Sequence, residues 1–99
     1  MQDKFQELIS SEQPVLIDFY ATWCGPCQAM APVLENVKHE MGEAARVVKI
    51  DVDKFQEIAG QYQVQSIPTL MIFKKGALLW RHTGGAAGSE LIKRLKSFA

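Results

Sequence analysis

The stretch from Val15 to Ala21, VLIDFYA, places the tightest limits on what this chain can fold into. It is nearly continuously apolar and carries β-branched and aromatic residues. A strand with one wet face alternates apolar and polar positions. This one does not, so it reads as a strand covered on both faces. Helices must then lie above and below it, and the rest of the chain has to supply them.

The flanking segments have the required periodicity. Phe5, Leu8 and Ile9 follow i, i+3, i+4 spacing and predict a helix over 3–10, broken by Ser11 to Pro14. Met30, Val33, Leu34, Val37 and Met41 form one helical stripe between Gln28 and Met41, and Gly42 suits its C-terminal stop. RVVKIDV, from Arg46 to Val52, predicts a second strand. Asp53 with Gln56 three residues on predicts a capping box for the next helix, whose buried face carries Phe55, Ile58, Ala59 and Tyr62. TLMIFK from Thr69 and ALLWRH from Ala77 flank Lys75-Gly76, a hairpin signature. After Gly84, Gly85 and Gly88, Ser89 opens a last helix with Leu91, Ile92, Leu95 and Phe98 inward. Lys93, Arg94 and Lys96 near its end complement the helix dipole. The order α-β-α-β-α-β-β-α predicts an α/β fold, three-layer α/β/α, with a mixed central sheet.

At 99 residues the chain is expected to be one domain, 1–99, with a small core. Eleven basic residues balance eleven acidic ones, so no charge field draws in nucleic acid or an anionic membrane. No apolar run approaches the ~18 residues that span a bilayer. The N-terminus lacks the apolar core of a signal peptide, and the expected location is cytoplasmic.

Both cysteines lie in Trp23-Cys24-Gly25-Pro26-Cys27. As a staple the pair is poor. Closing so short a loop yields roughly 2 kcal/mol, against about 3 for a 15-residue loop. A tight C-x-x-C pair points to thiol chemistry instead. Zinc would need four ligands, and His39 and His82 lack paired spacing. The motif joins a buried strand to a helix, so Cys24 falls at or just before the first turn. Unpaired N–H groups there favour a thiolate, the attacking species in disulfide exchange. Gly25 lets the chain bend, and Pro26 fits a helix start. Cys27, inside the first turn, is the less exposed. Cys24 is therefore expected to attack and Cys27 to resolve the mixed disulfide.

Asp18 interrupts the buried strand. Val15, Ile17 and Phe19 share one face; Leu16, Asp18 and Tyr20 share the other. A buried carboxylate is costly unless paired or protonated. Asp18 is expected to have a raised pKa and to accept the proton of Cys27, with Lys49 of the second strand near enough to act on it. A strand-end Asp facing water and a surface lysine are the bland alternatives. Pro32 is expected to kink its helix by removing the hydrogen bond to Gln28. Pro68 stands at a strand mouth, where proline is tolerated.

Taken together, "VLIDFYATWCGPC", the Pro32 of "MAP", "KIDVD", "SIPTLMIFKKG" and a glycine near the last helix resemble the thioredoxin family over nearly the whole chain. The resemblance implies a general protein-disulfide reductase with no bound cofactor, fed by NADPH through thioredoxin reductase. It implies Cys24 as nucleophile, Cys27 as resolving thiol, Asp18 as buried proton acceptor and Lys49 beside it. It implies a cis Ile67-Pro68 bond facing the disulfide, with the Ile67 backbone pairing with an extended client. Trp23, Gly25, Pro26, Ile67, Pro68 and Gly84 would form a flat apolar docking surface.

Three departures stand out. Tyr20 replaces a common tryptophan, and Ser66 stands where many members have glycine. The usual opening strand has too few residues ahead of the first helix, so four strands are expected rather than five. Arg46 to Val52 is then an exposed edge, through which a monomer would pair if it dimerised. Two other classes compete: a non-catalytic binding module on the same fold, and a dimeric metal or iron–sulfur carrier. The first would tolerate Cys24→Ser; the second would absorb visible light and carry iron.

Overall fold

Val15–Tyr20 forms strand β1, and it lies inside the sheet. The computed structural model describes residues 2–99. Helix α1 spans Gln2–Ile9, α2 Gly25–Met41, α3 Gln56–Gln61 and α4 Gly88–Ser97. Strands β2, β3 and β4 span Arg46–Asp51, Thr69–Lys74 and Ala77–Thr83, and a short 3-10 turn covers Gly42–Ala44. The strand order is β2-β1-β3-β4. β1 pairs parallel with β2 and antiparallel with β3, and β3 pairs antiparallel with β4. The fold is therefore α/β with the expected four-stranded mixed sheet, and β2 is an edge.

The two faces of β1 bury against different helices. Leu16 packs with Met30, Leu34, Val37 and Met41 of α2 and with Leu91 and Leu95 of α4. Val15, Ile17 and Phe19 pack with Phe5 and Ile9 of α1 and with Ile58 of α3. Each of these large side chains contributes about 1.5–3 kcal/mol by leaving water. On the second face Phe5, Tyr62 and Phe73 form an aromatic trio with centroids 5.4–5.9 Å apart, within the range of favourable tilted contacts.

The hairpin forms where expected. Lys75 and Gly76 both have positive φ, 53° and 83°, as a two-residue turn matched to strand twist requires. α2 runs as one helix through Pro32, which faces solvent. Arg94 pairs with Glu90 one turn back and lies over the Trp80 ring, in keeping with a helix-surface role for that basic segment.

One expected cap is corrected. α3 begins at Gln56 with Phe55 as its N-cap and no side-chain cap bond, so Asp53 does not open a capping box. The Asp51 carboxylate accepts from the Asp53 N–H at 2.9 Å, which turns the chain before the helix starts. The Gln56 amide donates to the Asp53 carbonyl oxygen rather than accepting from its N–H. α4 also starts one residue early, at Gly88 with Ala87 as cap, a difference within ordinary helix-end variation.

Candidate active site

β1 ends at Tyr20, the chain turns through 21–23, and α2 begins at Gly25. Cys24 is the N-cap residue, extended at φ −87° and ψ 114°. Its Sγ accepts from the Cys27 N–H at 3.2 Å, a position that polar cap side chains take for the same reason: the first helical N–H groups have no partner within the helix. Pro26 costs nothing in this first turn, where its missing N–H would be unbonded. Cys24 and Cys27 are bonded as a disulfide with Cα atoms 5.2 Å apart. Both are buried, Cys24 at 5% exposure and Cys27 at 2%, in a small cluster with Ala21, Tyr20, Val52 and Ile67.

The exposed ground around the disulfide is Trp23, Gly25 and Pro26. The Trp23 indole is 70% exposed, yet its Nε1–H donates to Asp53 Oδ2 at 2.8 Å. Across the disulfide, the Ile67-Pro68 bond is cis. The Ile67 carbonyl oxygen lies 3.8 Å from Cys24 Sγ. In the disulfide state that sulfur has no proton to donate, so this is a contact rather than a hydrogen bond. Ile67 is half-buried and Pro68 is buried, so Ile67 presents most of the surface on this side. Gly84, at φ +99°, donates its N–H to the Pro68 carbonyl at 2.7 Å and closes the rim.

Asp18 lies beneath this surface on the face of β1 that packs against α2 and α4. Leu16 shares a buried cluster with Met30, Leu34, Val37 and Met41 of α2, which centres it near Leu34. Two residues further along a strand advance about 6.6 Å, and one helical turn spans about 5.4 Å. Asp18 therefore lies level with Met30 of α2, about one helical turn short of Cys27. It is fully buried, and neither carboxylate oxygen has a hydrogen-bond partner among the described residues. Burial pushes its pKa up from 3.8 to about 6, while the Lys49 ammonium pulls the other way with a smaller effect. Lys49 is the cross-strand partner of Asp18, but its Nζ sits 4.4 Å from the Tyr20 ring centroid.

All ten expected site residues thus come from four places that meet at one end of the sheet: the β1–α2 junction, the body of β1, the β2 edge and the loops flanking β3 and β4. Sequence reasoning missed Asp53, assigned to a cap rather than to the Trp23 indole. The signal was its place at the end of β2, where neighbouring parallel strands deliver their C-termini to one rim. Among the described residues, no cluster of His, Cys, Asp and Glu is arranged to hold a metal ion, and no helix is long and apolar enough to cross a membrane.

The thioredoxin family model matches residues 1–97. This chain belongs to the thioredoxin family. A thioredoxin-like protein of Synechocystis sp. is 52% identical over 95% of this chain and 90% of its own length. Thioredoxin Y, chloroplastic, of rice is 48% identical over 94% of this chain and 56% of its own length. Among solved structures, a point-mutant thioredoxin from Halobacterium salinarum superposes with a TM-score of 0.91 at 37% identity, over 99% of this chain and 85% of that one. Membership makes the chain a disulfide oxidoreductase of the thioredoxin type, a class that needs no bound cofactor.

The relatives overturn the cytoplasmic expectation. Alongside the cyanobacterial protein stands a chloroplastic thioredoxin that is nearly as similar. Charge balance and hydropathy carry no address here, because a thioredoxin domain needs the same sheet and the same buried thiols in any compartment.

Proposed function

We propose that this thioredoxin-family protein is a general protein-disulfide reductase, with residues 1–99 acting as one domain. The observation that carries the reading is the Cys24–Cys27 pair at the α2 N-terminus, set against the Ile67 carbonyl. In the dithiol state the Cys24 thiolate, favoured by the unpaired helical N–H groups, attacks one sulfur of a client disulfide. A mixed disulfide forms and the other client sulfur leaves as a thiolate. Cys27 then passes its proton to Asp18, and its thiolate attacks Cys24 Sγ. The client departs as a dithiol, and the protein keeps the Cys24–Cys27 disulfide. Two electrons have moved from protein to client.

Asp18 suits the proton step because its raised pKa puts it near working pH, where a general base is effective. Lys49 restrains that rise. An extended client would pair with the Ile67 backbone and rest on Trp23, Gly25, Pro26 and Gly84, with Pro68 fixing the bend from below. Return to the dithiol takes electrons from NADPH through thioredoxin reductase, the route that family membership favours. The outer edge of β2 exposes Arg46 and Lys49, charges that disfavour pairing with another copy, so the working form is a monomer.

The test is insulin disulfide reduction by dithiothreitol with catalytic amounts of the protein. Acceleration should vanish in Cys24→Ser. Cys27→Ser should instead hold a client as a stable mixed disulfide, visible on a non-reducing gel. No acceleration by the folded dithiol protein would favour a binding module and sink this reading.

A further inference from the structure

Arg81, on β4 and remote in sequence from the cysteines, makes two hydrogen bonds that nothing in the exchange chemistry requires. Its Nη1 donates to the Tyr62 carbonyl and its Nη2 to the Gln63 carbonyl at 2.9 Å. These carbonyls end α3: Tyr62 is its C-cap, and Gln63 takes the left-handed conformation at φ 54°. A guanidinium is the side chain suited to this, because its fork reaches two neighbouring acceptors at once and its charge meets the negative helix end.

The consequence lies just downstream. From Gln63 the chain runs through Val64, Gln65 and Ser66 to Ile67. At the far end, the segment is tied by the Thr69 hydroxyl donating to the Ser66 carbonyl and by the Gly84 N–H donating to the Pro68 carbonyl. Thr69 pairs with Thr83, and Met71 with Arg81, so β4 and the glycine that follows it supply an anchor at each end. Arg81 holds where the segment leaves α3, together with the Val64 N–H, which donates to the Ala59 carbonyl at 2.9 Å, and Gly84 holds where it enters β3. Gln65 and Ser66 between them are exposed, with no core contact to place them.

We infer that Arg81 is a positioning residue for client docking: its grip on the end of α3 sets where the Ile67 backbone stands relative to Cys24. It rests on the docking role proposed above for Ile67. A protein client needs that backbone in register. A small disulfide needs only the thiolate. Loss of Arg81 should therefore separate the two.

The experiment compares wild type, Arg81→Met, which keeps the aliphatic stem, and Arg81→Lys, which keeps the charge but not the fork. Each is assayed at a temperature well below its measured Tm, with insulin and separately with hydroxyethyl disulfide. Arg81→Met should raise the insulin KM by about tenfold with kcat within about twofold, as expected for a lost docking interaction. Its rate with hydroxyethyl disulfide should stay within about twofold of wild type, and Arg81→Lys should recover only part of the insulin KM. An unchanged insulin KM in folded Arg81→Met overturns the inference. So does a parallel loss with both substrates, which would make Arg81 a purely structural clamp. Wild type that reacts with hydroxyethyl disulfide but not with insulin would instead overturn the reductase reading, and the docking role of Arg81 with it.

Discussion

Asp18 and Lys49 face each other across the β1–β2 pair, yet they do not form a salt bridge. The Lys49 ammonium rests over the Tyr20 ring, at the sheet edge, and Asp18 stays in the buried interior. Among the described residues this carboxyl has neither an ion-pair nor a hydrogen-bond partner, so its burial resists ionisation. That resistance has measurable consequences.

Stability should fall as Asp18 ionises. Its pKa is 3.8 in the unfolded chain and about 6 in the folded one, so the folded state holds the proton more tightly. The favourable contribution is fully present below the unfolded value and is lost as pH rises through the folded value. The step amounts to about 3 kcal/mol. Asp18→Asn lacks it, so urea unfolding from about pH 3.5 to pH 8 should show wild type losing stability relative to the variant. Unfolding midpoints that run parallel across that window would disprove the buried, shifted carboxyl.

Removing the Lys49 charge should push the Asp18 pKa higher still, since Lys49 is the one group that lowers it. In Lys49→Met the apolar stem remains and the ammonium goes. Carboxyl NMR should find Asp18 titrating at higher pH than in wild type. If Asp18 takes the Cys27 proton, the rate-versus-pH profile of client reduction should move in the same direction, with activity at neutral pH down by about twofold. An Asp18 titration that does not move would show the ammonium to be fully screened by solvent.

Gly84 and Gly25 should respond differently to alanine. Neither has a neighbour within 4 Å of an added Cβ, so space is not at issue. Gly84 alone of the two has positive φ, +99°, where an L residue costs about 1–3 kcal/mol. Gly84→Ala should lower Tm and weaken insulin reduction through its bond to Pro68. Gly25→Ala should leave Tm within about 2 °C of wild type. Equal Tm losses would show that backbone conformation is not what separates the two positions.

Much of this was legible before any coordinates. VLIDFYA had to be an inside strand because no other placement buries both of its faces. The helical stripe from Met30 to Met41 followed from a period that only a helix satisfies, and Lys75-Gly76 had to turn because the segments around it are strand-like. Asp53 was misread because a capping signature and a strand-end acid look alike in one dimension; the carboxylate of Asp51 took over the turn and left Asp53 for Trp23. Arg81 was not singled out at all, since an arginine on an edge strand has no signature until α3 is placed beside it.

Local spacing was enough to give the element order, the grouping of Asp18 with Leu16 and Tyr20 on one strand face and the position of Cys24 at a helix start. All three depend on local spacing: the alternation of a strand, the period of a helix, and the missing N–H partners of a first turn. Tertiary structure alone decided that Ile67 meets Cys24, that Lys49 turns to Tyr20 and leaves Asp18 unpaired, and that Arg81 ties α3 to β4. Those contacts join residues 18 to 43 positions apart or lie across neighbouring strands. Their geometry is fixed by how the layers pack, which local spacing does not encode.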